Sequence, residues 1–260
     1  MKISVMTPIK NEKFFIPFWW NTIKHFADEV VIGDSGYYGE PSHTQVNELN
    51  TLYPVKELKH YILDSDYIPY SDEWNEGSVR NQLLRKCTGD IVFLLDVDEI
   101  INLRDVSGII DCFQREDVDL LYFKMIPFWN DLHTVRINTP EDPRWHGVFL
   151  GRVVRNGCFV YGEQKHHCLL REQKSGAFKN SFYSDFPIFH LHYGFGDSGL
   201  KYRDNRRGDL GSATSDDWDH GNIAPDFYHF IGKHGEVKTC SYEGPWPEIL
   251  TPYLNGDFSR

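Results

Sequence analysis

The stretch Asp90-Ile91-Val92-Phe93-Leu94-Leu95-Asp96-Val97-Asp98-Glu99 decides the reading of the fold. Its apolar run, Ile91 to Leu95, fits a strand buried on both faces, as in a parallel sheet. The strand then ends in Asp96, Asp98 and Glu99. In open α/β sheets, ligands bind beyond the carboxyl ends of the strands. Acids crowded at such an edge repel one another unless something neutralises them. A divalent cation with oxygen ligands would do so, and it would also hold a phosphorylated substrate. A solvated acidic turn is the plainer alternative for these residues taken alone.

Upstream of this stretch, strand and helix patterns alternate. Ile3 to Ile9, Glu29 to Asp34 and Glu57 to Leu63 read as strands. Phe14 to Phe26, Ser42 to Tyr53 and Trp74 to Cys87 read as helices, the last closed by Gly89. Downstream, Leu103 to Phe113 is a further helix and Asp119 to Ile126 a further strand. This alternation predicts βαβ units: an α/β fold with a Rossmann-like, mostly parallel sheet flanked by helices.

Beyond residue 126 the rhythm changes. Val148 to Arg155 and Cys158 to Tyr161 suggest a hairpin turning at Asn156-Gly157. Ser181 to Tyr193 is extended and aromatic. Leu200 to Asp209 and Ala224 to Lys233 suggest helices around a turn-rich loop, 211–221, and the tail near Gly244-Pro245-Trp246-Pro247 reads as irregular. The expected organisation is a ligand-binding part, 1–126, with a C-terminal elaboration, 127–260, packed on it as one continuous domain.

Bulk properties narrow the function classes. A net charge of -11 argues against a broad basic surface for nucleic acid or acidic lipid. With 15% aromatic residues, some rings are expected to line a cleft rather than the core. No apolar run approaches the roughly 20 residues of a membrane helix. The N-terminus enters a strand at once, without a signal-peptide pattern. The five cysteines are scattered and odd in number, which suits reduced thiols in a cytoplasmic protein.

Several common signatures are missing: a Walker-type phosphate loop, G-x-S-x-G and H-E-x-x-H. An EF-hand over Asp96 to Ser107 fails, because Ile101 and Ser107 stand where that loop needs Gly and Glu. Gly194, Gly196 and Gly199 form a G-x-G-x-x-G, but too late in the chain to open a βαβ unit.

What remains is a set of landmarks in order. Lys10-Asn11-Glu12 follows the first strand, Asp34-Ser35-Gly36 the second, Arg80-Asn81 lies on a helix, and Asp96-Val97-Asp98-Glu99 ends the next strand. This order resembles the family 2 glycosyltransferases, especially short, non-processive members with the A-type nucleotide-sugar-binding fold. The resemblance covers residues 1–126 well and the remainder weakly.

The resemblance implies transfer of a sugar from a nucleotide-diphosphate donor to a hydroxyl acceptor with Mn²⁺ or Mg²⁺. Pro8, Asn11, Asp34, Arg80 and Asp96 would then bind the nucleotide. Asp98 would be the direct metal ligand, with Asp96 on the ribose or a metal-bound water and Glu99 orienting the loop. A metal held by carboxylates would stabilise the charge developing on the diphosphate leaving group.

Further along, Arg152-Val153-Val154-Arg155, Tyr161-Gly162 and His166-His167 resemble the family stretch R-x-F-R…G-x-x-H-E, with Cys168 in place of its glutamate. His190-Leu191-His192-Tyr193-Gly194 resembles an H-Y-G-Y element. His167 and His192 are the candidate metal-binding histidines, and at strand spacing His190 shares a face with His192. Asp142 and Glu163 are the candidates for the general base that an inverting transfer needs.

The family default for the acceptor is a saccharide; a modified DNA base is disfavoured by the acidic charge. The rival readings are a nucleotidyltransferase and an inactive carbohydrate- or nucleotide-binding module. The former normally needs a Gly-rich loop after the first strand, and Thr7 to Lys13 has no glycine.

Overall fold

Along β4 (Ile91–Leu94) and into Leu95, side chains alternate between two separate cores. Ile91, Phe93 and Leu95 enter one, while Val92 and Leu94 enter the other. A strand buried on both faces must sit in the middle of a sheet with layers on either side. The computed structural model describes residues 1–9, 14–34, 43–62, 76–115, 118–136, 149–162, 170–172, 180–195 and 239–255.

β1 (Ile3–Ile9) lies beside β4 and parallel to it. On its other side β1 pairs in parallel with β2 (Glu29–Asp34), which pairs in parallel with β3 (Glu57–Ile62). The chain therefore runs outward from β1 to β3, returns, and starts again at β4. The carboxyl ends of β1 and β4 mark the point where the strand order reverses, which is where α/β sheets bind ligands. This central part of the sheet is the mostly parallel, helix-flanked one that the sequence pattern predicts, and the antiparallel strands beyond β4 make the whole sheet mixed.

The helices complete the layers. α1 (Ile16–Ile23) buries Trp19, Trp20 and Ile23 in the first core, with Pro17 placed harmlessly in its first turn. Val46 of α2 (His43–Leu52) and Val106, Ile109 and Phe113 of α4 (Val106–Gln114) join the same core. α3 (Glu76–Leu84) covers the opposite face through Val79, Leu83 and Leu84. A 3-10 turn, Leu103–Asp105, leads into α4, so the helix expected from Leu103 starts later.

The second half joins the same sheet. β6 (Leu120–Trp129) spans residue 126 and is separated from β4 by the antiparallel β8 (Phe149–Arg155). β7 (Asp131–Arg136) turns back from β6, and β12 (Thr239–Ser241) pairs with it. β11 (Ser181–Tyr193) runs parallel to β6 and clasps the short β5 (Glu99–Ile100). The tail is not wholly irregular: a 3-10 helix, Glu248–Tyr253, lays Tyr253 against Phe18.

Two local expectations are corrected. Asn156-Gly157 does make a turn, with Gly157 at φ 81° and Cys158 N–H donating to the Arg155 carbonyl at 3.3 Å. No hairpin forms, because both edges of β8 are occupied by β4 and β6. β9 (Phe159–Tyr161) instead pairs with β10 (Leu170–Glu172). Gly89 is not a helix cap, since α3 ends at Leu84. A Cβ at Gly89 would stand 2.6 Å from the Ser4 nitrogen and 2.9 Å from the Lys2 oxygen, so glycine lets β1 approach. The segments expected over 200–209, 211–221 and 224–233 lie outside the described residues.

Candidate active site

The acidic end of β4 is a closed turn. Glu99 N–H donates to the Asp96 carbonyl at 2.9 Å, and Asp96 N–H donates back to Glu99 Oε2 at 3.2 Å. Asp98 sits at the third position of this turn. The next residues are pinned by β11: His190 lies opposite Glu99, and Leu191 N–H donates to the Asp98 carbonyl at 2.7 Å. The loop is therefore held by a strand from the far end of the chain, which brings His190 Nε2 to 3.4 Å from Asp98 Oδ2.

Two arginines arrive from different elements. Arg80 of α3 places Nη2 2.8 Å from Asp96 Oδ1. Its guanidinium also lies 5.6 Å from the Tyr161 ring centroid, within cation–π range. The neighbouring Asn81 points elsewhere: its amide donates to the Tyr161 carbonyl at 2.9 Å and accepts from the Tyr161 N–H at 2.7 Å. One half of the Arg-Asn landmark thus meets the acids, and the other fixes β9 and the ring beside that arginine.

Arg152 comes from β8. Because β8 runs antiparallel to β4, its early residues lie beside the carboxyl end of β4: Val153 is opposite Phe93, and Arg152 comes just before it. Arg152 Nη2 contacts Glu99 Oε1 and lies 3.6 Å from Asp96 Oδ2. Burial opposes its charge, but the Glu99 and Asp96 carboxylates outweigh that and hold the guanidinium protonated. Glu99 is pushed up to about 7, first by burial and then by the charges of Asp96 and Asp98, against the pull of Arg152. The acids are thus already balanced in large part by guanidinium groups.

Arg155, three residues along the same strand, works at the opposite edge. It pairs with Asp119 at 3.1 Å and donates to the carbonyls of Phe113, Arg115 and Val118. An open hollow at that edge is lined by Gly89, Asp90, Arg155, Asn156 and Gly157. Asn156 there donates to the Cys87 and Gly89 carbonyls, and Asp90 accepts from the Lys2 N–H. Its polar groups serve the fold.

On the other side of β1, Asp34 ends β2 opposite Ile9 and is fully buried. Its Oδ2 lies 3.5 Å from His60 Nε2 on the adjacent strand. Pro8 lies between them and the acids, half-buried and opposite Gly33. With β1 between β2 and β4, these strands are about 10 Å apart. That span suits a nucleoside diphosphate lying across the switch point.

Asp34, Pro8, Arg80, Asp96 and Asp98 thus gather along one sheet edge. Asn11, Asp142, Glu163 and His167 lie outside the described residues. His192 belongs to β11, but its side chain is likewise outside the description. His190, His60 and the bridging role of Arg152 were not assigned from sequence. The even spacing of His190 and His192 was the available signal for the first.

Asp98 and His190 would offer two donors to a divalent cation. Donors on adjacent octahedral positions lie about 3.0 Å apart at Mg²⁺ bond lengths. The 3.4 Å between Asp98 Oδ2 and His190 Nε2 is close to that separation. Among the described residues no group of three or more His, Cys, Asp or Glu side chains is arranged to hold a metal. Mg²⁺ is commonly held by one or two carboxylates, with substrate phosphates completing its shell. Among the described residues, no helix is long and apolar enough to cross a membrane.

No protein-family model matches the chain, and no curated protein matches it in sequence. Among solved structures it is similar to S. aureus TarS 1–349, at 15% identity and a TM-score of 0.49 over 90% of this chain and 72% of that one. The same fragment in complex with UDP-GlcNAc gives 14% and 0.47, again over 90% and 72%. Glucosyl-3-phosphoglycerate synthase from Mycobacterium tuberculosis, in complex with Mn²⁺ and UDP-glucose, gives 20% and 0.34 over 48% of this chain and 43% of that one. These are proteins the chain is similar to, at identities and scores that assign it no activity.

Proposed function

We propose that the chain is a glycosyltransferase that moves a sugar from a nucleotide-diphosphate donor to a hydroxyl acceptor, using Mn²⁺ or Mg²⁺. The observation that carries this reading is the pairing of Asp98 with His190 at the switch point, flanked by Arg80 and Arg152. Buried Asp34 ends β2, the strand next to β1, and this supports a role for it at the nucleoside. Anionic groups alone would repel a diphosphate. Guanidinium groups beside a metal-binding pair would attract it and stabilise the charge that develops on departure.

In this reading Asp98 and His190 hold the cation, which supplies Lewis-acid stabilisation of the leaving diphosphate. Arg80, steered by Asp96 and seated against Tyr161, orients the phosphates. Asp34 accepts hydrogen bonds from the nucleoside, and Pro8 shapes the wall beside it. Asp142 and Glu163 are the proposed acids to take the acceptor proton if the transfer inverts. His167 and His192 are proposed at the cation's remaining side.

The test is a panel of nucleotide sugars incubated with the protein, with Mn²⁺ and with EDTA, scored for released nucleoside diphosphate. Metal-dependent release of a diphosphate from at least one donor is expected. Release of pyrophosphate from a sugar phosphate and a nucleoside triphosphate would instead mark a nucleotidyltransferase and overturn the proposal.

A further inference from the structure

Tyr122 of β6 and Tyr183 of β11 lie opposite one another, and their rings stack with centroids 4.9 Å apart and planes 16° from parallel. Tyr122 is half-buried and packs against the core that α3 covers, whereas Tyr183 is 68% exposed. Lys124, two residues on from Tyr122 and so on the same face, is exposed. The sheet is irregular on both sides of this pair. In β11, Tyr183 to Pro187 spans what Tyr122 to Lys124 spans on β6, and Ser184 Oγ donates to the Tyr122 carbonyl at 2.8 Å within that stretch. In β8, Arg152 is the extra residue between Val153, opposite Leu121, and Gly151, opposite Tyr122. Bulges are common beside active sites, where they re-aim side chains.

The register places this pair beside the candidate active site. Val153 lies opposite both Phe93 and Leu121, so Tyr122 stands level with the last residues before the acidic turn. Its ring is on the α3 side of the sheet, the side from which Arg80 meets Asp96. Only β8 separates β6 from β4, a span of about 10 Å. Asp34 lies on the other side of β4, beyond β1.

We propose that the Tyr122–Tyr183 stack is an acceptor subsite that receives a saccharide ring on the exposed Tyr183. The inference rests on the transferase reading above and deepens it. One face of a sugar ring is lined by C–H groups of slight positive charge, which complement the negative face of an aromatic ring. Tyr122 backs the outer ring and holds its plane. The Lys124 ammonium supplies a hydrogen-bond donor for the sugar's oxygens. The nucleoside and the acceptor then approach the acidic turn from opposite sides, as transfer between them requires.

An array of immobilised oligosaccharides, probed with labelled protein and no nucleotide, tests this. Wild type should bind at least one class of saccharide. Tyr183→Ala should weaken that binding by about tenfold or more, and Tyr183→Phe should keep it, because the ring makes the platform. Tyr183→Leu, which still covers Tyr122 but has no flat face, should lose binding like Tyr183→Ala. Phe182→Ala removes a neighbouring ring that is 40% exposed on the other face of the strand, and should change nothing. Melting temperatures establish that each variant is folded. A wild type that binds no saccharide, or full binding by folded Tyr183→Ala or Tyr183→Leu, overturns the inference alone. A dimer in sedimentation that Tyr183→Ala breaks would assign the ring to a second copy and overturn it as well. Saccharide binding without diphosphate release from any nucleotide sugar overturns the transferase reading and the acceptor role with it, while the saccharide site stands.

Discussion

Nε2 of His190 lies 3.4 Å from Oδ2 of Asp98, although the aspartate follows the fourth strand and the histidine sits on the eleventh. The contact exists because β5, immediately after Asp98, pairs antiparallel with β11. In the proposed metal-dependent reading it makes the acidic loop a two-donor site, and it separates the candidate histidines by experiment. His190→Gln removes an imidazole ligand and should lower metal-dependent transfer by at least about 10–100-fold. His192→Gln, at a residue also proposed beside the cation, is the comparison and should lose less. A near-normal His190→Gln beside a crippled His192→Gln would move the ligand to His192.

The opposite edge of the sheet holds a buried carboxylate with a structural task. Glu29 is fully buried and accepts hydrogen bonds from Lys59, Ser4 and the Thr88 backbone and hydroxyl. Burial raises its pKa, but those bonds outweigh it and hold the group at about 2, below the ordinary 4.5. A depressed native pKa stabilises the fold above the unfolded value and loses that contribution as pH falls through the native one. Glu29→Gln should therefore cost roughly 2–3 kcal/mol at pH 7 and much less near pH 2. Urea melts at both values check it; an equal cost at the two would contradict it.

Asn81 ties α3 to β9 through two hydrogen bonds to the Tyr161 backbone. Asn81→Ala should cost about 2–3 kcal/mol by leaving both backbone groups unmatched. Asn81→Asp can still accept from the N–H but meets the carbonyl with a negative charge, so it should be no better. Because the Tyr161 ring lies beside Arg80, donor binding should weaken along with stability. Calorimetric titration of UDP with Mn²⁺ present would show this, and wild-type affinity in a folded variant would exclude the link.

Gly89→Ala would set a methyl against the backbone of β1, a central strand that cannot yield on either side. A loss of about 1–3 kcal/mol is expected, with catalytic parameters unchanged in the folded fraction, because Gly89 lies at the edge away from the acids. Denaturant midpoints and kcat measured together check both halves.

What the sequence makes legible is local. The apolar run before Asp96 identifies a strand buried on both faces, and the two cores confirm that partition residue by residue. The alternation of elements gives the parallel order around β1 because each crossover is short. Partnerships made by distant strands are hidden. Arg152 and Arg155 read as one basic motif, yet insertion of an antiparallel strand beside β4 sends one to the acids and the other to Asp119. The Asn156-Gly157 signal is a true turn, but turn chemistry cannot reveal that both edges of β8 are occupied. Crowded acids suggest a need for metal; only the fold shows that Arg80 and Arg152 meet part of it.

The central claim is that a divalent cation bridges a nucleoside diphosphate to Asp98. The most direct measurement is the melting temperature of the wild-type protein and of Asp98→Ala with UDP, each in Mn²⁺ and in EDTA. A ligand of the native state at 100 times its Kd adds about 2.7 kcal/mol, which is roughly 5–11 °C for a chain of this size. The account predicts that shift in wild type with Mn²⁺ only, little change on adding EDTA without UDP, and no shift in Asp98→Ala. An equal UDP shift in EDTA, or an undiminished one in Asp98→Ala, would contradict it.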